Sequence, residues 1–122
     1  MRVYYAHCQS IYGTKQEERD INLLQQLGFE VLNPGEEKHG KIANEMKARG
    51  ENAMPYFEGL VSQCNVLAFR ALPDGRIPAG VVKEIGKAKD TNKAIFELPS
   101  RIAGRSIGVE ETREYLMETG QR

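Results

Sequence analysis

The 122-residue chain has no tryptophan, two cysteines, two histidines and no net charge. No apolar run approaches the ~20 residues a membrane span needs, which excludes a helical membrane anchor within this stretch. The opening residues MRVYYAH enter a strand-like pattern directly, without the apolar core of a signal peptide. The 17 basic and 17 acidic residues cancel, so the domain lacks the electrostatic footprint of a duplex-nucleic-acid binder. Cys8 and Cys64 are far apart and show no metal-type spacing, so both read as reduced thiols in a soluble, cytoplasmic protein. His7 and Cys8 are neighbours on a strand whose side chains alternate, which argues against a thiolate pair. His39 stands in a charged segment, and no metal site or cofactor is expected.

What is present is an alternating pattern. Residues 2–6 (RVYYA) are strand-prone, and His7 to Gly13 breaks the pattern with small and polar residues. Thr14 and Glu17 have capping-box spacing, followed by an apolar stripe of Ile21, Leu24 and Leu27 and a closing Gly28. A second strand is expected over Phe29 to Asn33, stopped by Pro34-Gly35. From Glu36 to Glu51 apolar anchors are few (Ile42, Ala43, Met46), so an exposed helix or a mobile excursion is expected there. Pro55 suits a first helical turn, and Phe57, Leu60, Val61 and Cys64 mark a core-facing helix. Val66 to Phe69 (VLAF) is continuously apolar, as in a strand covered on both faces. A helix with Val81, Val82, Ile85 and Ala88 follows, then a strand over Ala94 to Leu98 and a terminal helix over Val109 to Glu118, with an irregular stretch or weak edge strand between them.

Strands alternating with helices argue one α/β domain over residues 1–122, a three-layer Rossmann-like (flavodoxin-like) fold with four to five parallel strands. Ligands of such sheets sit beyond the carboxyl ends of the strands. That rule singles out the loops His7 to Gly13, Asn33 to Gly35, Arg70 to Gly80 and Pro99 to Arg101. Gly13-Thr14 at a helix N-terminus, with Ser10 nearby, could seat an anion, although turning and capping explain both residues equally well. Glu84 lies one helical turn beyond Gly80, which has no side chain to cover it. Val81, Ile85 and Ala88 are expected to hold the opposite side of that helix against the sheet. A solvated glutamate near a helix start would need no such explanation.

The segments VYYAH, GFEVLNP, LVSQCNVLAF and above all GVVKEIGKAKDTNKAIFEL resemble the nucleoside 2-deoxyribosyltransferase superfamily, including its small deoxynucleotide N-hydrolases. The similarity spans roughly residues 2 to 98, and its most specific part is the G-x-x-x-E-[IL]-G-x-A segment. The resemblance implies that Glu84 is the nucleophile at C1′ of a nucleoside or nucleoside 5′-monophosphate. By the same likeness Tyr4, with Tyr5 as the alternative register, supplies the hydroxyl beside it. Ser10 and Gly13 correspond to a 5′-phosphate loop, here two residues further from the strand. The likeness also implies a homodimer or higher homo-oligomer, with the helix carrying Phe57, Leu60 and Val61 as its contact surface unless that helix serves the protomer's own core. Arg76 is the cation available to a phosphate, and Asn33 could read a base or sugar edge, though an Asn before Pro is also a common turn former.

The chain departs from the family at two places. Phe57 stands where an aspartate is usual, and Asn65 where the third strand usually has another. Without a second carboxylate, protonation of the leaving base falls to His7, Glu58, Asp74 or Tyr4, or the domain binds a nucleotide without turning it over.

Overall fold

In the computed structural model, which describes residues 1–99, the chain alternates strands and helices around one parallel sheet. The strands are β1 (Arg2–Ala6), β2 (Glu30–Leu32), β3 (Val66–Phe69) and β4 (Ala94–Glu97). The helices are α1 (Lys15–Gln26), α2 (Glu37–Ala48), α3 (Met54–Ser62) and α4 (Ala79–Asp90), with a 3₁₀ turn at Gln9–Ile11. The sheet order is β2-β1-β3-β4, every pair parallel, which makes the domain a three-layer Rossmann-like fold. The terminal helix and weak edge strand expected after Pro99 lie outside the described residues. No described helix is long and apolar enough to cross a membrane.

Strand alternation sorts the core into two layers. Tyr4 and Ala6 of β1 join Leu67 and Phe69 of β3 on the side packed by Leu60 and Val61 of α3 and Val81 and Ala88 of α4. Val3, Tyr5, Val66 and Ala68 face the other way, against Leu24 of α1. Residues Val3 to Ala6 are wholly buried, as a central parallel strand requires. Because β1 connects to β2 on one side and pairs with β3 on the other, the connections diverge above its carboxyl end. That divergence opens a crevice near His7.

Local chemistry sets the helix ends. Thr14 caps α1 by accepting from the Glu17 N–H. Gly28, at φ +94°, closes α1 with the paired bonds of a Schellman motif, its own N–H to the Gln25 carbonyl and that of Phe29 to the Leu24 carbonyl. Pro55 occupies the first turn of α3, where an amide hydrogen would be unused.

Three expectations are resolved or corrected. Of the two possibilities for residues 36–51 the chain takes the largely exposed helix, α2, which is nonetheless anchored: it buries His39 and Ala43, and the His39 Nδ1 lies 2.6 Å from the Tyr56 hydroxyl on α3. The apolar count missed this because one of the two anchors is a histidine. Val82 is exposed, and the buried stripe of α4 is Val81, Glu84 and Ala88, spaced i, i+3 and i+7. Glu84 therefore shares the core-facing side of the helix with Val81 and Ala88 instead of opposing it. The apolar residues Leu60 and Val61 of α3 are packed into the protomer's own core, which removes them as a dimer surface.

Candidate active site

The site is built around a carboxylate that the packing of α4 carries into the interior. Glu84 is 7% exposed, and its Oε2 accepts a hydrogen bond from the hydroxyl of Tyr4, itself wholly buried at the centre of β1. Among the described residues Glu84 has no ion-pair partner and no second hydrogen bond. Burial pushes its pKa from 4.5 up to about 7, opposed by the Tyr4 bond and assisted by the negative charge of Glu58. The Tyr4 hydroxyl is raised far above its ordinary value by burial and then by the Glu84 charge, so it remains a donor throughout the physiological range.

A cleft of about 400 Å³ opens over this carboxylate. Its walls come from the β1 carboxyl end (His7, Cys8), from Tyr12, from the α2 to α3 region (Lys47, Asn52, Phe57) and from the start of α4 (Gly80, Lys83, Glu84). A methyl group at Gly80 would meet nothing within 4 Å, so the space beside Glu84 is open. Phe57 gives one apolar wall against which a flat heterocycle could rest. Lys47 and Lys83 are exposed cations on the lining. Glu84 is the only carboxylate among the described lining residues.

Of the residues singled out in the sequence, the cleft brings together Glu84, Gly80 and His7, with Tyr4 behind Glu84. The His7 ring stacks on Tyr5, with centroids 3.7 Å apart. Its Nδ1 lies 2.9 Å from the Tyr5 carbonyl and its Nε2 2.7 Å from Glu17 Oε2. Both ring nitrogens are thus engaged by the protein.

Ser10, Gly13, Asn33 and Arg76 are not among the cleft-lining residues. Ser10 is exposed, and its hydroxyl donates to Cys8 Sγ at 3.2 Å. The Gly13 N–H, the donor expected for a phosphate, donates to Glu17 Oε1 at 3.1 Å, so the protein's own carboxylate holds the anion position. This is a variation on a capping box, with the carboxylate reaching one residue further back than the cap itself. Asn33 Oδ1 accepts from the Gly35 N–H at 2.8 Å, the local turn that an Asn-Pro-Gly sequence favours. Arg76 pairs with Asp74 at 2.6 Å in an exposed turn, which also keeps Asp74 from serving as an acid in the cleft. Glu58 is not on the cleft lining, although its charge is felt at Glu84.

The residues that sequence reasoning missed are Lys47, Asn52, Lys83 and Tyr12. Lys47 was hidden by the reading of its segment as an exposed helix or mobile excursion. Lys83, next to Glu84 on the same helix, carried no signal beyond an ordinary surface charge. Tyr12 stood in the sequence only as a residue between Ser10 and Gly13 of the expected phosphate loop.

Among the described residues no three His, Cys, Asp or Glu side chains are grouped so as to hold a metal ion. No protein-family model, curated protein or solved structure matches the chain.

Proposed function

We propose that this protein cleaves or transfers the N-glycosidic bond of a nucleoside or nucleoside 5′-monophosphate, with Glu84 as the nucleophile. The observation that carries the reading is a buried carboxylate that has, among the described residues, one hydroxyl partner and no cation, with an open cleft in front of it. A carboxylate kept only for stability would be neutralised by a cation or fully hydrogen-bonded. The resemblance of the segment from Gly80 to Ala88 to the nucleophile segment of the 2-deoxyribosyltransferase superfamily supports the same assignment.

The chemistry is a double displacement. As the C1′–N bond breaks, its electron pair leaves with the base and C1′ becomes oxocarbenium-like. Glu84 Oε1, which has no protein partner among the described residues, forms the bond to C1′, while Tyr4 holds Oε2 and fixes the plane of the carboxylate. Water, or a second base in the transfer reaction, then attacks C1′ and releases Glu84. Phe57 would face the base, and Lys47 and Lys83 an anionic 5′ substituent, in the role first expected of Arg76 and Gly13. A cytoplasmic setting belongs to this reading and agrees with the unpaired thiols of Cys8 and Cys64. So does assembly into a homo-oligomer, through a surface other than the apolar side of α3; sedimentation at micromolar concentration tests it.

Incubation with a panel of nucleosides and 5′-monophosphates, followed by chromatography for free base, tests the proposal. Release of base that disappears in Glu84→Ala and Glu84→Gln supports it. That Glu84 is the single carboxylate among the described lining residues favours a second reading, a nucleotide-binding module without turnover. Ligands bound intact, equally well by wild type and Glu84→Gln, would establish that reading instead.

A further inference from the structure

The proposed reaction leaves one position unfilled. The departing base accumulates negative charge on its ring, and no second carboxylate lines the described cleft to meet it. His7 is engaged at both nitrogens, Glu58 is off the lining and Asp74 is tied to Arg76. Tyr12 differs from all of these. Its phenol lines the cleft with Glu84, and its hydroxyl has no hydrogen-bond partner among the described residues. Tyrosine hydroxyls elsewhere in this fold are used: Tyr4 by Glu84, Tyr5 by Asp20 and Tyr56 by His39.

The ring of Tyr12 is nonetheless held in place. It packs at a tilt against the ring of His7, with centroids 4.8 Å apart. It also lies against Gly35, where an added methyl group would come within 3.0 Å of Tyr12 Cδ1. The Tyr12 N–H is fixed by the Gln9 carbonyl at 3.1 Å. A side chain pinned along its body and free at its polar tip is suited to meet a ligand. Burial, then the charges of Glu84 and Glu17, pushes its pKa up to about 12, so the hydroxyl stays protonated and available as a donor.

Resting on the glycosidic reading above, we infer that Tyr12 is a catalytic residue whose hydroxyl donates a hydrogen bond to the departing base, in place of a second carboxylic acid, which the described lining lacks. The C1′–N electron pair moves onto the base, the Tyr12 O–H stabilises the resulting anion, and the base takes its proton from water after departure. Tyr12 keeps its own proton, and no further reactant is needed.

The test is Tyr12→Phe, assayed on two substrates by release of free base. For a neutral purine deoxynucleoside, kcat is expected to fall about 10²-fold, the usual loss for one preorganised donor. For the N7-methylated purine deoxynucleoside, whose base is already cationic and leaves without help, the loss is expected to be less than about threefold. The melting temperature of Tyr12→Phe should match wild type, because no protein bond is lost. Equal losses on both substrates would assign Tyr12 a structural role and overturn the inference, as would an unchanged rate on both. In either case the nucleophile reading survives if Glu84→Gln still abolishes base release. No release of either base by wild type would overturn both.

Discussion

Two adjacent tyrosines on β1 each meet a buried carboxylate, and the two pairs are built for different ends. Tyr5 donates to Asp20, which Arg70 also grips through Nε at 3.0 Å and a terminal nitrogen at 2.6 Å, with Gln16 adding a bond at 2.8 Å. Arg70 is further anchored by the Pro99 carbonyl at 2.6 Å. The whole group lies under α1, away from the cleft. Tyr4 donates to Glu84, which among the described residues takes no bond from an arginine or an amide, and a cleft lies in front. The first arrangement compensates a buried charge; the second leaves it uncompensated and accessible. That difference is why Glu84, and not Asp20, reads as the reactive acid.

Removing the carboxylates should separate the two pairs most widely. Glu84→Gln is expected to abolish base release, a loss of at least ~10³-fold, while the protein stays folded and binds ligand. Asp20→Ala strands the Arg70 guanidinium in the interior and should destabilise the fold by about 3–5 kcal/mol, read as a lower denaturant midpoint. A fully stable Asp20→Ala, or an active Glu84→Gln, would break the comparison.

The pH response is next in size. The native pKa of Glu84 lies above its unfolded value, so the folded state binds the proton more tightly. Its contribution is fully present below pH 4.5 and is lost as pH rises through about 7. This amounts to about 3 kcal/mol, and Glu84→Gln should flatten that slope in denaturant titrations at pH 5 and pH 8. Activity should run the other way: kcat/KM is expected to rise through an acid limb near pH 7 as the nucleophile ionises.

The tyrosines give a smaller contrast. Tyr4→Phe removes the bond that favours ionised Glu84, so its acid limb should move to higher pH and its rate fall about tenfold, a direct effect on the chemistry. Tyr5→Phe leaves Asp20 held by Arg70 and Gln16 and should cost about 1 kcal/mol of stability, with the pH profile unchanged. Smallest of all, Lys47→Ala is expected to raise KM for 5′-monophosphates a few-fold, about as one exposed charge contact allows, whereas Arg76→Ala leaves it unaltered. Steady-state kinetics on a nucleoside and its monophosphate would show the split.

The fold was largely legible because period-two and period-3.6 patterns come from local geometry. The runs RVYYA and VLAF became the two central strands, and Thr14, Gly28 and Pro55 mark helix ends where their chemistry places them. At α2 the sequence left helix and mobile chain open, because the anchor that settles it is His39, whose partner is a tyrosine seventeen residues away. In the site, Glu84 and Tyr4 were legible as a resemblance. Ser10, Gly13, Asn33 and Arg76 were chosen as free polar groups, yet each is engaged by a neighbour on its own segment. Sequence proximity marks candidate donors without showing which bonds they already make.

Periodicity and end signals in the sequence therefore determined an alternating α/β chain with an acid on the helix before its last described strand. Only tertiary packing decided that this acid turns inward beside Tyr4 and goes without a cation among the described residues, while Asp20, one sheet face away, receives Arg70 from fifty residues along the chain. The reason is physical: burial and charge pairing are properties of surroundings assembled from distant segments, and no local spacing encodes which carboxylate the distant arginine will reach.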